Sequence, residues 1–232
     1  MTDLSQFQVT GRWRAKYPDR LQLYSLSTPN GVKVSIMLEE TGLSYEAHKI
    51  DFAQQDQRTP EYLSLNPNGK IPAIIDPDGP DGRPMALYES GAILLYLAAK
   101  TGRLMPHDPI AEWHVRQWLM WQVGNVGPMF GQVGYFHKFE GREVEDRRPL
   151  DHYATAAGRL LGILDDHLKG RVWIVGDALS IADISLIGMV RNLVEFYKAG
   201  DLVKYDARKN VHAWLDRALA RPAVRKGLTI PS

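Results

Sequence analysis

The chain changes its pattern of apolar residues once, near residue 100, and that change limits the folds open to it. Before it, short apolar runs are separated by dense turn chemistry. Leu21-Gln22-Leu23-Tyr24-Ser25 alternates as a strand, Ser27-Thr28-Pro29-Asn30-Gly31 reads as a turn, and residues 32–40 read as a helix ended by Gly42. Residues 45–52 supply a second strand, so strand, helix and strand fall within about thirty residues, the size of one parallel crossover. A polar stretch over 53–64 leads to the turn Asn66-Pro67-Asn68-Gly69 and a short apolar strand at 71–75. A Pro/Gly/Asp-rich hairpin connection then joins it to a fourth strand at 85–88. Glu89-Ser90-Gly91 opens a helix whose body, 92–99, is almost wholly apolar and therefore buried. Past a segment carrying Pro106 and Pro109, only helical periods appear, over 112–123, 151–168, 181–198 and 211–220. Arg221-Pro222 is a helix-stop signal before the tail.

The expected architecture is two-domain, α+β followed by all-α. Residues 1–20 form an N-terminal extension, 21–101 a small α/β domain, 102–110 a linker and 111–232 a helical domain. In the first twenty residues Arg12, Arg14, Lys16 and Arg20 are interleaved with Trp13 and Tyr17. They are expected as an extended lead-in lying over the body, in preference to a nucleic-acid arm.

Composition removes several classes of function. The 232 residues include no cysteine, which excludes a disulfide framework, a CxxC pair, a zinc–thiolate site and a cysteine nucleophile. Lysine and arginine number 28 against 27 acidic residues, so a uniformly basic surface for nucleic acid or anionic membrane is not expected. No run approaches the roughly 18 apolar residues of a membrane span. The N-terminus has no apolar signal core, so the cytoplasm is the expected location. The seven histidines are scattered, with no HExxH and no cluster at metal-ligand spacing. P-loop, GxSxG and GxGxxG signatures are missing as well.

Three places carry more specific chemistry. Pro72 starts a strand without an N–H to give the ladder, which reads either as an ordinary edge proline or as an open backbone edge for an extended ligand. Ser90 is a natural N-cap for the buried helix. A helix N-terminus is also an anion site, and Glu89 beside it suits an ammonium. Together they match the paired carboxylate and ammonium of an α-amino acid. Gly124, Gly127, Gly131 and Gly134 recur at helical spacing around Pro128. They serve either close backbone packing at a bend or a helix stripped of side chains to open a cleft beside Met129, Phe130 and Tyr135.

Lys70-Ile71-Pro72, the helix start Glu89-Ser90-Gly91-Ala92-Ile93-Leu94-Leu95-Tyr96-Leu97 and Ser180-Ile181-Ala182-Asp183 together resemble the cytosolic glutathione transferases. Tyr24-Ser25-Leu26-Ser27-Thr28-Pro29-Asn30-Gly31 and Trp121-Gln122 with Gly127-Pro128-Met129 narrow the likeness to the bacterial Nu-class branch, related to the fungal Ure2-like proteins. The resemblance runs from about residue 21 to the end of the chain. It implies a thioredoxin-like N-terminal domain that binds glutathione and a helical C-terminal domain, with glutathione-dependent disulfide-bond reduction as the activity.

On that resemblance Pro72 is the cis proline, and the Ile71 backbone pairs with the cysteinyl part of glutathione. Glu89 and Ser90 bind the γ-glutamyl end, Gln57 contacts glutathione, and Lys70 meets the glycyl carboxylate. Arg159 reaches a ligand from a neighbouring subunit. Many transferases place a tyrosine, serine or cysteine on the first loop; this branch places Thr28 and Asn30 there, with Tyr24 expected to pack and Ser25 and Ser27 as minor contenders. The second-substrate cleft is expected from Gln122, Pro128, Met129, Phe130, Tyr135 and Phe136. The resemblance further implies a homodimer, no metal, no tightly bound cofactor, and glutathione with a small disulfide or electrophile as substrates. Conjugation to electrophiles, hydroperoxide reduction and a non-catalytic ligand-binding role are the other readings.

Overall fold

The computed structural model describes residues 3–231. They divide into two compact units, residues 1–102 with Pro222–Ser232, and Arg103–Arg221.

In the first unit α1 (Val9–Arg12) precedes β1 (Leu21–Ser25), α2 (Gly31–Thr41) and β2 (Tyr45–Lys49). Then come α3 (Pro60–Leu65), β3 (Ala73–Asp76), β4 (Met85–Tyr88) and α4 (Ser90–Thr101). The four strands make one sheet in the order β2-β1-β3-β4. β1 and β2 are parallel, as the crossover length requires, while β3 runs antiparallel to both β1 and β4. This is the thioredoxin-like arrangement of a mixed sheet with helices. Burial explains the strand sequences. Every residue of β1 and β3 is buried, whereas β2 and β4, at the sheet edges, are partly open. Gly42 ends α2 in the left-handed conformation at φ 71°, donating its N–H to Leu38 O.

Register fixes what meets what. Tyr24 near the end of β1 lies opposite Ala73 at the start of β3, and Ala73 lies opposite Tyr88 at the end of β4. β2 runs parallel to β1, so its end lies there too. The segments leaving β1, β2 and β4 and the one entering β3 therefore gather at one end of the sheet.

The N-terminal extension departs from the expected extended lead-in. Leu4 and Val9 are buried in one cluster with Tyr24, Ile50, Tyr62, Leu65, Ile71, Ala73 and Ile75. Trp13 meets Tyr24 and Tyr62 edge-on, at ring-centroid distances of 6.5 and 6.3 Å. Arg12 pairs with Asp56 at 2.6 Å, and Asp56 also accepts the Asp51 N–H at 2.9 Å. Apolar anchors and one ion pair thus fasten residues 4–15 to the core.

The tail also departs from expectation, since Pro222–Ser232 clusters with the first unit rather than with the helical one. There α10 (Pro222–Gly227) packs on α2, and Ser35 Oγ donates to Gly227 O at 2.6 Å. A side chain at Gly227 would meet Ile36 backbone at 2.6 Å, so glycine is what permits this approach.

The second unit holds α5 (Pro109–Trp121), α6 (Gly127–His137), α7 (Arg148–Leu168), α8 (Ile181–Arg191) and α9 (Lys209–Leu219). Single π-helical stretches at Gln122–Val126 and Asn192–Phe196 follow α5 and α8, the second interrupting the unbroken helix expected over 181–198. The first lies directly ahead of Gly127-Pro128, so Pro128 stands in the first turn of α6. α8 starts with a reciprocal capping box between Ser180 and Asp183. The buried Asp183 carboxylate also accepts the Ile174 N–H and Trp214 Nε1–H, both at 2.9 Å. Among the described residues no helix is long and apolar enough to cross a membrane.

Candidate functional site

The end of the sheet described above carries eight of the expected residues. Thr28 and Asn30 lie on the segment leaving β1, Gln57 on that leaving β2, and Glu89 and Ser90 on that leaving β4. Lys70, Ile71 and Pro72 lie immediately before β3.

The first loop is shaped by its own hydrogen bonds. Thr28 N–H donates to Leu26 O at 2.7 Å and Thr28 O accepts from Val32 N–H at 2.9 Å. Thr28 Oγ accepts the Gly31 N–H at 3.3 Å, so this hydroxyl caps α2 from outside and lies half-buried at the helix N-terminus. Asn30, at the N-cap, is exposed and makes no side-chain cap; its Oδ1 instead accepts from Lys33 Nζ at 2.9 Å. Tyr24 is fully buried in the sheet, stacked on His48 at 4.7 Å, which removes it from the loop surface. Burial drives its phenol pKa well above the ordinary value. Ser25 is buried as well.

Before β3, Tyr62 Oη and Asn66 Nδ2 both donate to Lys70 O at 2.7 Å. Gly69 turns with φ 62°, and a side chain there would meet Gln57 O at 2.9 Å. The Gln57 and Lys70 segments are thereby held against each other. Lys70 itself is exposed, Ile71 and Pro72 are buried, and the Ile71–Pro72 bond is cis. β3 is an interior strand paired on both sides, so Pro72 is not the edge proline that one sequence reading allowed. The ladder begins at Ala73, which leaves Ile71 outside it. Gln57 Oε1 is buried without a hydrogen-bond partner among the described residues. Such an acceptor waits for a donor.

At the β4–α4 junction the N-cap position falls to Glu89 rather than to the expected Ser90. Glu89 adopts φ 71° and ψ 111°, a conformation costing a non-glycine residue about 1–3 kcal/mol. That strain presents its exposed carboxylate beside the start of α4. Ser90 is buried and its Oγ accepts from Lys33 Nζ at 3.3 Å.

Lys33 is the residue that sequence reasoning missed. It sits one turn into α2, is 1% exposed, and bridges Asn30 to Ser90. Burial pulls its ammonium pKa down to about 7, against the pull of the Glu89 carboxylate. Its spacing from Asn30, three positions along one helix face, was the signal available in the sequence.

Arg159 is exposed on α7 of the helical unit. Of the residues expected in a second-substrate cleft, Gln122 and Phe130 are buried at 1% and 2% exposure, closed off from solvent. Pro128 and Tyr135 are exposed and Met129 half-buried, while Phe136 stacks on Tyr153 at 5.7 Å. The glycines of α6 and the turn before it divide. A side chain at Gly134 would strike the Tyr197 ring at 2.3 Å, whereas Gly124 and Gly131 face open space. Close backbone packing therefore accounts for Gly134, while Gly124 and Gly131 are not held by it. Among the described residues no group of three histidine or acidic side chains is placed to hold a metal.

Comparison with known proteins matches these two units. The family described as "Glutathione S-transferase, N-terminal domain" matches residues 28–100, and "Glutathione S-transferase, C-terminal domain" matches 149–217. The disulfide-bond oxidoreductase YfcG of Escherichia coli is 39% identical, over 90% of this chain and 94% of that protein. A glutathione transferase of Pseudomonas putida, solved with one glutathione disulfide bound per subunit, superposes with TM-score 0.98 at 59% identity over 100% of both chains. One from Burkholderia graminis, with two glutathione molecules per subunit, gives TM-score 0.98 and 59% identity over 100% of this chain and 97% of that one. With both halves matched and relatives aligned along almost their whole length, the chain belongs to the glutathione transferase family.

Proposed function

We propose that this chain is a glutathione-dependent disulfide-bond reductase of the Nu-class branch, and that it holds a glutathione thiolate at Thr28 and Asn30. The observation that carries the reading is the gathering of one hydroxyl, one exposed amide and the N-terminus of α2 at a single end of the sheet. A disulfide oxidoreductase among its relatives, and structural neighbours holding one glutathione disulfide or two glutathiones per subunit, support the reaction class.

The magnitudes suffice. A free thiol has a pKa of about 8.5, and lowering it by two units needs roughly 2.7 kcal/mol. A hydrogen bond to a charged group contributes about 1.5–3 kcal/mol and a helix N-terminus about 0.3–1 kcal/mol. In the proposed reaction the thiolate attacks one sulfur of a disulfide, forming a mixed disulfide and expelling the other sulfur as a thiolate that takes up a proton. A second glutathione thiolate attacks the glutathione sulfur of the mixed disulfide, giving glutathione disulfide and the second product thiol. Two glutathiones are oxidised and one disulfide is reduced. With no cysteine in the chain, every reacting sulfur comes from the substrates.

Placement at that end of the sheet supports the proposed binding roles. Ile71, outside the ladder, offers backbone groups to the cysteinyl part of glutathione. Glu89 and Ser90 take the γ-glutamyl end, Lys70 the glycyl carboxylate, and Gln57 Oε1 accepts a ligand N–H. Pro128, Met129, Tyr135 and Phe136 supply apolar surface for the second substrate. A homodimer, with Arg159 serving the neighbouring subunit, is supported by an apolar stripe on α5: Ile110, Trp113 and Met120 are 68%, 71% and 51% exposed. A reaction consuming two glutathiones belongs in a glutathione-reducing compartment such as the cytoplasm.

The test is a comparison of substrate classes at fixed glutathione: 2-hydroxyethyl disulfide against aryl halides, epoxides and organic hydroperoxides. The disulfide is expected to turn over fastest. Faster turnover of an electrophile or a hydroperoxide would replace the reductase reading with a conjugating or peroxidase one.

A further inference from the structure

We infer that Lys33 is a positioning residue that sets the hydrogen-bond polarity of the glutathione site, holding Asn30 with its amide donor outward and Ser90 with its hydroxyl proton outward. The inference rests on the thiolate reading above and assigns the group that makes its geometry hold.

A protonated lysine side chain carries donors only, and a primary amide carries a donor at one end and an acceptor at the other. The Nζ of Lys33 lies 2.9 Å from Asn30 Oδ1. The acceptor end of that amide is thereby engaged, and the free Nδ2–H₂ end must face away from it. Without Lys33 the exposed amide is at liberty to flip, and half its orientations would present an oxygen to a thiolate. The same Nζ lies 3.3 Å from Ser90 Oγ. A hydroxyl that accepts there spends its proton elsewhere, on the side where α4 begins. One buried group thus keeps two donors pointed at an anionic ligand, from two helices distant in sequence.

Burial gives the arrangement its rigidity. Lys33 is 1% exposed, between α2 and α4, so its Ser90 contact is shielded from bulk water and its end of the Asn30 contact is buried. Its position also places positive charge behind the thiolate and the γ-glutamyl carboxylate. The depressed ammonium pKa, about 7 with Glu89 opposing the depression, means that arrival of an anionic ligand favours the protonated form. A lysine here for packing alone would be replaceable by an apolar side chain of the same length.

The experiment is the ultraviolet titration of the glutathione thiol in the binary complexes of wild type, Lys33→Met and Lys33→Gln, with kcat and KM for 2-hydroxyethyl disulfide reduction alongside. Lys33→Met is expected to raise the bound-thiol pKa by about one pH unit, equivalent to roughly a tenfold loss of thiolate below both values. The loss of activity at pH 6.5 should shrink as pH rises, because raising the pH restores the thiolate. Lys33→Gln serves should Lys33→Met fail to fold; it removes the charge and frees the Asn30 amide to flip, and the same rise is expected. A purely structural lysine would change the melting temperature and leave the bound-thiol pKa where it is. A depressed wild-type pKa that both folded variants retain overturns the role given to Lys33 while leaving the thiolate reading standing. A wild-type complex whose thiol titrates like free glutathione overturns both.

Discussion

Each unit of the molecule buries a charged side chain at the start of a helix, and the two are solvated by the protein in opposite ways. Asp183 in the helical unit accepts from Ser180 N–H and Oγ–H, both at 3.0 Å, and from Ile174 N–H and Trp214 Nε1–H. Its partners belong to the fold and tie α8, α9 and the loop before α8 together. Among its contacts, Lys33 in the first unit donates to Asn30, which is exposed, and to Ser90, the first residue of α4. One charge closes a network; the other carries hydrogen bonds out to the site surface. A buried ionic group whose hydrogen bonds all run inward serves stability. One whose bonds lead to an exposed amide serves a ligand.

That contrast can be broken by substitution, and the largest effect is expected at Asp183. Asp183→Ala strands several buried donors and should lower the unfolding free energy by about 3–5 kcal/mol in urea titrations. The bound-thiol pKa of the remaining folded protein should be unchanged. Next, Asn30→Ala removes a donor to the thiolate. It should cost about 1.5–3 kcal/mol of transition-state stabilisation, or roughly 10- to 150-fold in kcat/KM, together with about 1–3 kcal/mol of stability because the buried Lys33 Nζ loses this acceptor. Ser90→Ala should act on binding, raising the glutathione KM by roughly fivefold, an effect of about 1 kcal/mol, with a smaller change in kcat.

A separate effect concerns pH. The folded-state pKa of Lys33 lies below the ordinary lysine value of 10.5, so between about pH 7 and 10.5 the unfolded chain binds more protons than the folded one. Lys33 therefore makes the chain gain stability as pH rises through that window. Urea midpoints at pH 7 and pH 9 should show this rise in wild type and a flatter response in Lys33→Met. An equal rise in both would show that the lysine is not held in the buried, depressed state that the contrast requires.

Much of the site was legible in the sequence because its parts sit where elements begin and end. The Thr28 loop, the Ile71-Pro72 turn and the Glu89-Ser90 helix start are punctuation, which local chemistry marks well. Lys33 was hidden because a lysine on an amphipathic helix is normally solvated, and only the packing of α2 against α4 buries it. The N-terminal segment misled for a similar reason: its anchors, Leu4 and Val9, are isolated among polar residues and form no period. Docking of Pro222–Ser232 on the first unit depends on Gly227 meeting Ile36, a contact between residues almost two hundred positions apart. The second π-helical stretch shifts the 3.6-residue period only locally, so the longer helix 181–198 looked continuous.

The central claim is that the first loop holds a thiolate with which glutathione reduces a disulfide, the protein adding no sulfur of its own. Its most direct test is the initial rate of 2-hydroxyethyl disulfide reduction by glutathione with wild type and with the Thr28→Ala/Asn30→Ala double variant, matched for folded protein. Wild type is expected to exceed the uncatalysed exchange by orders of magnitude, and the double variant to fall most of the way back to it. A wild-type rate equal to uncatalysed exchange, or a double variant as fast as wild type, would contradict the account.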